Sequence, residues 1–253
     1  MAKKQRLLQI LMKSGRFDKI YSAKQAIFAG KIKVDDKMTT NPDFTFNPRT
    51  HKVFFEGKEL KTELVLRYFI LNKPQGYSCQ KGEQAKKTVY EFIQKLPGLD
   101  EQEKRSLHPV GRLDEDTEGL LIITNDGKLS SKILRPEKEI QKTYYAIVHG
   151  FLEDKSIWKL KSGVRVDIGD KMRDEFYVTK PAKIKLLKRS REKSFLELRI
   201  TEGKKRQVRK MLAAVGNKVL FLKRIAIGKL ELGELKLGEM REVTKEFLEK
   251  KLS

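Results

Sequence analysis

The sequence predicts an α+β fold, in which a small basic α/β domain precedes a larger domain built on a mixed, largely antiparallel sheet flanked by helices. Strand and helix patterns follow one another without the regular βαβ alternation of a doubly wound fold. The chain has 253 residues, of which 39% are hydrophobic, enough for one substantial core and a small second one. We therefore expect domains at residues 1–60 and 68–253, joined by a linker at 61–67.

The first 60 residues carry two helix patterns and one hairpin pattern. The apolar residues within 7–11 predict a short helix that ends at Gly15. Ser22 can cap a second helix, with Gly30 closing it. Residues 32–34 then alternate isoleucine and valine with lysine and lead into an Asp-Asp turn, which is typical of a strand entering a hairpin.

The larger domain begins with an apolar run that Pro74 and Gly76 interrupt, as at a turn. A continuous apolar run, such as that before Asn125-Asp126-Gly127, indicates a buried strand. A helix closed by Gly216 is also expected. The expected strands are 68–71, 120–123, 144–148, 195–200 and 219–227, and the expected helices are one from Thr88 and one over 207–215.

The composition indicates a polyanionic partner. The chain has 56 Lys and Arg against 34 Asp and Glu, a formal charge of +22, and such an excess favours nucleic acid. Nucleic acid is favoured over a membrane because no run of about 18 apolar residues exists to span a bilayer, and the charged N-terminus does not resemble a secretory signal. We expect a cytoplasmic protein. The single Cys79 excludes an internal disulfide, and three scattered His residues predict no metal site.

Residues 111–127, GRLDEDTEGLLIITNDG, contain the strongest candidate for a reactive group. Asp114 follows an arginine and a leucine and comes shortly before the apolar strand. A carboxylate on a turn at a strand end is well placed to act as a nucleophile, because the scaffold fixes it while the turn exposes it.

About 50 residues at the start of the chain resemble the S-four-type RNA-binding domain, named for a ribosomal small-subunit protein, through the pattern Ser22-x-x-x-Ala-Ile-x-x-Gly-x-Ile-x-Val-Asp-Asp over residues 22–36. Residues 1–60 hold 13 Lys and Arg against 6 Asp and Glu, a net charge of +7. The resemblance implies that basic side chains contact RNA phosphates without reading bases. The candidates are Arg6, Arg16, Lys24, Lys31 and Lys33.

Four segments, 71–79, 111–127, 142–150 and 201–219, resemble in order and spacing the ribosomal branch of the pseudouridine synthases. Within that branch the chain is most similar to single-site enzymes typified by the small-subunit one. The resemblance implies an enzyme that isomerises a specific uridine of ribosomal RNA after flipping it out of the RNA. It also implies a monomer that needs no cofactor and no metal.

The resemblance assigns roles to individual residues of the larger domain. Asp114 is the expected catalytic carboxylate, and the residues leave open whether it attacks the sugar, attacks the ring or promotes an elimination. Arg209 is the expected ion-pair partner that keeps Asp114 ionised. Tyr144 is expected to stack on the target base. Arg112 is expected to hold the flipped nucleotide and neighbouring phosphates.

Further cations of this domain are expected to bind RNA. Where many members of the family carry a histidine, this chain has Arg206, which we assign to RNA phosphates. The resemblance places Lys204 and Lys205 in the same basic cluster. Lys73 is expected mainly to brace the active-site loop, and we count it with the substrate-binding residues.

Two other functions are compatible with parts of the sequence. Residues 114–117, DEDT, resemble the D-x-D-x-T pattern of phosphatases that form an aspartyl-phosphate, with the threonine one position earlier. Such enzymes need an apolar strand directly before the first Asp, and here proline, glycine and arginine interrupt the approach. A non-catalytic RNA-binding or ribosome-assembly protein is the stronger alternative, because a basic two-domain chain can bind ribosomal RNA without modifying it.

Overall fold

The computed structural model describes residues 4–17, 19–62, 65–80, 87–167 and 176–252. Residues 63–64 of the expected linker lie outside the described residues. Helices and strands together form an α+β fold, which confirms the predicted class. None of the helices in the described part of the chain is both long enough and apolar enough to cross a membrane.

The elements of the described residues are numbered in chain order. Helices α1 to α8 span Leu7–Lys13, Ile20–Phe28, Tyr90–Gln94, Glu101–Ser106, Gly127–Leu134, Asp154–Ser162, Gln207–Ala214 and Lys245–Leu252. Strands β1 to β17 span Gln5–Arg6, Ile32–Val34, Lys37–Met38, Thr45–Phe46, Val53–Phe55, Lys58–Leu60, Tyr68–Lys73, His108–Pro109, Glu118–Thr124, Lys142–His149, Arg165–Asp167, Phe176–Val178, Lys183–Arg189, Lys193–Ile200, Val219–Ile227, Leu230–Glu231 and Met240–Glu242.

The chain forms two compact units, and the first contains Met1–Arg67, Phe92–His108 and Thr124–Asp126. Helices α1 and α2 pack together beside an antiparallel sheet with the strand order β3-β2-β5-β6. Their apolar faces are buried in one small core with those of β2 and β5. Both predicted helices and the hairpin are thus confirmed, and the small core is built from short elements that each bury one face.

Two helices of this unit differ in how they begin. The predicted cap Ser22 is wrong, because α2 already begins at Ile20 and Lys19 precedes it without a capping side chain. Helix α4 has a full capping box: the carboxylate of Asp100 accepts from the Glu103 backbone N–H, and Glu103 accepts from the Asp100 backbone N–H. This reciprocal pair satisfies two of the backbone donors that a helix start leaves free.

The second unit contains Tyr68–Glu91, Pro109–Ile123 and Gly127–Ser253. Its sheet has the strand order β13-β14-β10-β15-β9-β7-β17 among the described residues, with β16 added beside β15 and β8 beside β9. Strands β15 and β9 run parallel, whereas β10 is antiparallel to both β14 and β15. The sheet is therefore mixed and mostly antiparallel, as the sequence predicted.

The core of the second unit is centred on β7 and β9. Every residue of β7 is buried, and so is every residue of β9 after Glu118. Residues on one face of these strands pack against apolar residues of α5 and α8, including Leu129, Ile133 and Leu248. Burial on both faces explains why these strands appear in the sequence as continuous apolar runs instead of alternating ones.

Gly119 allows β9 and β15 to approach each other closely. Its φ is +108°, and a Cβ at this position would lie 2.2 Å from the carbonyl oxygen of Arg224. Arg224 and Gly119 are partners in the parallel register of the two strands. The glycine therefore sets the spacing between β15 and the start of β9, which directly follows the turn that carries Asp114.

We expect Gly119→Ala to lower the free energy of unfolding by about 3 kcal/mol or more, because backbone strain and a backbone clash add together. Chemical denaturation measures the change. The matched control is Gly150→Ala, at a glycine with φ +78° and no atom within 4 Å of the added Cβ, which should cost only about 1 kcal/mol from strain. Equal losses in the two variants would show that the contact with Arg224 is unimportant.

Candidate active site

The second unit contains a cavity of about 780 Å³ that collects most of the site residues predicted for it. Its walls come from the turn before β9, from β10 and β15, and from the loop that leads into α7. A cavity of this volume accommodates a ligand of nucleotide size. The predicted residues that line it are Arg112, Asp114, Tyr144, Lys204, Lys205 and Arg206.

Asp114 lies half-buried in the turn that precedes β9. The backbone N–H of Thr117 donates to the carbonyl oxygen of Asp114 at 3.0 Å and closes this turn. Just upstream, Leu113 and Cys79 exchange two hydrogen bonds through the Cys79 sulfur, each 3.4 Å long. The carboxylate is therefore held on a fixed turn in the cavity wall, as a nucleophile or a charge-stabilising group requires.

Lys73, at the end of β7, is completely buried although it carries an ammonium group. Its Nζ donates to the carbonyl oxygens of Pro74, Tyr77 and Glu115 at 2.9, 2.8 and 3.3 Å. Burial lowers the pKa of this amine, and nearby acidic groups oppose the shift. The bracing role expected for Lys73 is confirmed by these three bonds, and the enclosure of its ammonium gives no support to a direct RNA contact. Lys73 braces the turn after β7 against the turn that carries Asp114.

Arg209 contacts Asp116, and not Asp114 as predicted. Its Nε lies 3.3 Å from the Asp116 carboxylate, and its Nη2 donates to the Asp116 carbonyl oxygen at 2.7 Å. The prediction of a direct ion pair with Asp114 is therefore wrong. The reason lies in the turn: Asp114 lines the cavity, whereas Asp116, two residues later, faces Arg206 and Arg209 at the start of α7.

Arg206 binds the same Asp116 carboxylate with both of its terminal nitrogens, at 3.0 and 2.8 Å. Arg206 precedes the first residue of α7 and has a left-handed backbone with φ +53°, a conformation that costs energy in a residue other than glycine. The two-point ion pair offsets that strain. Because Arg206 and Arg209 are three residues apart at a helix start, one carboxylate reaches both.

The charges of Asp116, Arg206 and Arg209 shift one another's pKa values. Burial would raise the pKa of Asp116, but its hydrogen bond to Arg206 and the charge of Arg209 outweigh burial and hold the pKa below the usual value. The bond to Asp116 raises the pKa of Arg206, and Asp114 adds to this. Burial lowers the pKa of Arg209, while Asp116 and, less strongly, Asp114 oppose the shift. Asp114 is thus linked to both arginines electrostatically, without a direct contact.

The loop that carries Lys204 is fixed by Glu202. The Glu202 carboxylate accepts a hydrogen bond from the backbone N–H of Lys180 at 2.9 Å and further bonds from the Tyr177 hydroxyl and the Gln207 side-chain amide. Burial and the bond to Glu202 raise the pKa of Tyr177 to about 12, so this hydroxyl stays a donor at neutral pH. The loop is therefore rigid at its base, and Lys204 and Lys205 are exposed at its tip.

Tyr144 lies on β10 directly opposite Arg224 on β15, and both side chains line the cavity. Tyr144 is 8% exposed and Arg224 is 4% exposed. No sequence motif pointed to Arg224, whereas Asp116 and Thr117 belong to the phosphatase-like pattern at 114–117 and had no role in the proposed isomerase. Arg224 did leave a signal, because it is a charged residue at an inward position of an apolar strand, in the same alternation as Leu222.

The predicted cations of the first unit are all exposed. Lys31 pairs with Glu56 at 2.8 Å, and Arg6 lies 3.6 Å from Asp43. The remaining three, Arg16, Lys24 and Lys33, form no ion pair with any described residue, although the Arg16 guanidinium lies 5.1 Å from the Phe55 ring.

The chain is similar to known proteins over most of its length. A family model described as RNA pseudouridylate synthase matches residues 67–214. Ribosomal large subunit pseudouridine synthase B of Bacillus subtilis is 35% identical over 225 residues, covering 88% of this chain and 85% of the relative. Ribosomal small subunit pseudouridine synthase A of Escherichia coli is 35% identical over 206 residues, covering 81% and 82%. A crystal structure of a pseudouridylate synthase aligns with a TM-score of 0.66 and 31% identity, covering 98% and 99%.

We expect Asp116→Asn to lower the free energy of unfolding at pH 7 by about 1 kcal/mol, a value discounted for partial solvent exposure of the ion pair. Because the pKa of Asp116 is lowered in the folded protein, its contribution is present above the usual value of 3.8 and is lost as the pH falls through the lowered one. Chemical denaturation at several pH values measures this.

The matched control is Glu115→Gln, which removes an exposed neighbouring carboxylate and should change the free energy of unfolding by less than about 0.5 kcal/mol. The difference in the free energy of unfolding between the Asp116→Asn variant and the unmodified protein should shrink as the pH falls toward about 3. A difference that stays constant at low pH would contradict an ionic origin.

Proposed function

The chain belongs to the RNA pseudouridylate synthase family, and we propose that it isomerises a specific uridine of ribosomal RNA to pseudouridine, with Asp114 as the catalytic carboxylate. The observation that supports this most directly is the placement of Asp114 and Tyr144 in the wall of one cavity of nucleotide size.

The reaction places definite demands on the site. The bond between ribose C1′ and uracil N1 breaks, the uracil rotates, and a bond forms between C1′ and uracil C5. C5 loses its proton and N1 gains one, so that no group enters or leaves and nothing is oxidised. The protein must therefore supply a carboxylate beside the sugar, a pocket that holds the base, and groups that keep the nucleotide out of the RNA.

Each demand has a candidate in the cavity. Asp114 supplies the carboxylate, and attack on the sugar, attack on the ring and elimination all require it in the ionised form. Tyr144 supplies an aromatic ring on which the flipped base can stack. The exposed cations Arg112, Lys204 and Lys205 are placed to bind the flanking phosphates.

Arg209 is assigned to the active site through Asp116. The ion-pair cluster of Asp116, Arg206 and Arg209 connects α7 to the turn that carries Asp114, and its two arginines outnumber its one carboxylate. The cluster therefore places net positive charge near Asp114. Arg209 thus serves Asp114 as a nearby charge and a structural anchor, in place of the direct pair expected from the sequence.

The substrate class follows from the relatives. One acts, by its name, on the large ribosomal subunit and the other on the small subunit, and both are 35% identical to this chain. Large-subunit and small-subunit ribosomal RNA are therefore both candidate substrates for the activity assay. We also propose that the protein is cytoplasmic and monomeric. Fractionation of cells tests its location, and light scattering of the purified protein tests its oligomeric state.

We expect Asp114→Asn to reduce pseudouridine formation more than about 1,000-fold, because the amide can neither attack nor accept a proton. The measurement maps pseudouridines in large- and small-subunit ribosomal RNA transcripts incubated with the purified protein. The affinity of the variant for RNA should stay within about threefold of that of the unmodified protein. A protein with only an RNA-binding role would also keep its affinity, but it would form no pseudouridine in either form.

Glu115→Gln is the control, because it removes the adjacent exposed carboxylate and should keep activity within about threefold. Full activity of Asp114→Asn would refute the assignment of this residue. Absence of pseudouridine with the unmodified protein on both RNAs would count against the proposed activity itself.

We also expect exposed lysines of the first unit to bind RNA phosphates. The double variant Lys24→Gln/Lys33→Gln should reduce the slope of log affinity against log salt concentration by about 1 for each phosphate that a lysine no longer neutralises. Binding measured from 50 to 200 mM salt gives the slope. The control Lys159→Gln/Lys161→Gln removes two exposed lysines from α6, and an equal change there would mean that only net charge matters.

A further inference from the structure

Arg224 has a guanidinium that the protein leaves only partly hydrogen-bonded. Its Nε donates to the carbonyl oxygen of Leu120 at 2.8 Å. Its Nη2 is inaccessible to solvent and has no hydrogen-bond partner among the described residues. A buried donor without an acceptor costs about 1–3 kcal/mol. Because Arg224 lines the cavity, a water, an ion or a ligand bound there would supply the missing acceptor.

The neighbours of Arg224 belong to the same cavity. Tyr144 lies directly across from it on β10, and Lys142 lies two residues before Tyr144 and also lines the cavity. Burial lowers the pKa of Lys142, and the charge of Arg224 lowers it further, so the two cations are close enough to repel. Thr117 is 1% exposed, and its hydroxyl oxygen is a second buried polar atom of the cavity wall that finds no hydrogen-bond partner in the described part of the chain.

The depth of these groups indicates which part of a nucleotide they meet. Arg224 is less exposed than Tyr144, whereas Arg112 and Lys204 are exposed cations of the same cavity. Phosphates remain attached to the RNA backbone and stay near the surface, where the exposed cations lie. A flipped base enters further. Uracil carries two carbonyl oxygens, which are acceptors for a guanidinium, and one N3–H, which a hydroxyl oxygen can accept.

We propose that Nη2 of Arg224 donates a hydrogen bond to a carbonyl oxygen of the target uracil, which makes Arg224 a residue that recognises the base. This inference rests on the proposed function. The fixed bond from Nε to Leu120 holds the guanidinium in place before the RNA arrives, so the donor is preorganised and little side-chain entropy is lost on binding.

The test compares two RNAs that differ only in the target base. The first is a short RNA hairpin containing the uridine that the unmodified protein converts, and the second carries a ribose without a base at that position. Binding is measured in an Asp114→Asn background, so that the uridine is not consumed. We expect Arg224→Gln to weaken binding of the uridine RNA about tenfold and to leave binding of the baseless RNA unchanged.

The control variant is Lys223→Gln, which removes the adjacent cation of β15 from the opposite face of the sheet. It should affect both RNAs equally. Thermal denaturation checks that Arg224→Gln is folded. If that variant is not folded, the same binding comparison is made with Arg224→Lys, which keeps the charge and removes the second donor arm. Weaker binding confined to the uridine RNA is again expected.

Two results would overturn the inference. Equal weakening on both RNAs would place the contact on the phosphate backbone, and unchanged binding of the uridine RNA would show that the Nη2 donor has no role in recognition. If the unmodified protein forms pseudouridine while either result holds, only the role of Arg224 fails. If it forms none on either ribosomal RNA, the proposed function fails and this inference with it.

Discussion

The carboxylate of Asp116 holds Arg206 and Arg209 together at the start of α7, and this ion-pair cluster fixes the turn that presents Asp114 to the cavity. The cluster joins two segments that are about 90 residues apart in the chain. Without it, the left-handed backbone of Arg206 would be uncompensated. The position of Asp114 thus depends on a neighbouring carboxylate that does not itself line the cavity.

Two enclosed cations also support this arrangement. The ammonium of Lys73 donates to three backbone carbonyls and braces the turn of Asp114, while Arg224 is anchored on Leu120. Both lie on strands that are otherwise mostly apolar. A buried cation is costly unless its donors are satisfied. Lys73 satisfies its donors within the protein, whereas Nη2 of Arg224 has no partner among the described residues, and we propose that the target base supplies one.

Much of the fold could be predicted from periodicity. The strands at 120–123, 144–148 and 219–227 and the helix at 207–215 were found within two residues of their observed ends, because burial of one or both faces imposes a strong apolar pattern. Helices α4, α5, α6 and α8 were not predicted. They are six to nine residues long, and only a few of their positions face the core, so their sequences carry little periodic signal.

The sequence by itself determined the residue types of the site: a carboxylate before a buried strand, an aromatic residue on another strand, and a basic cluster before a helix. The tertiary structure alone decided which of them pair. Asp114 and Asp116 are two residues apart in one turn, and a local sequence pattern cannot say which carboxylate meets α7. That choice depends on how distant segments pack, and so do the enclosure of Lys73 and the burial of Arg224. The reason is that ion pairing and burial are set by distances in space and not along the chain.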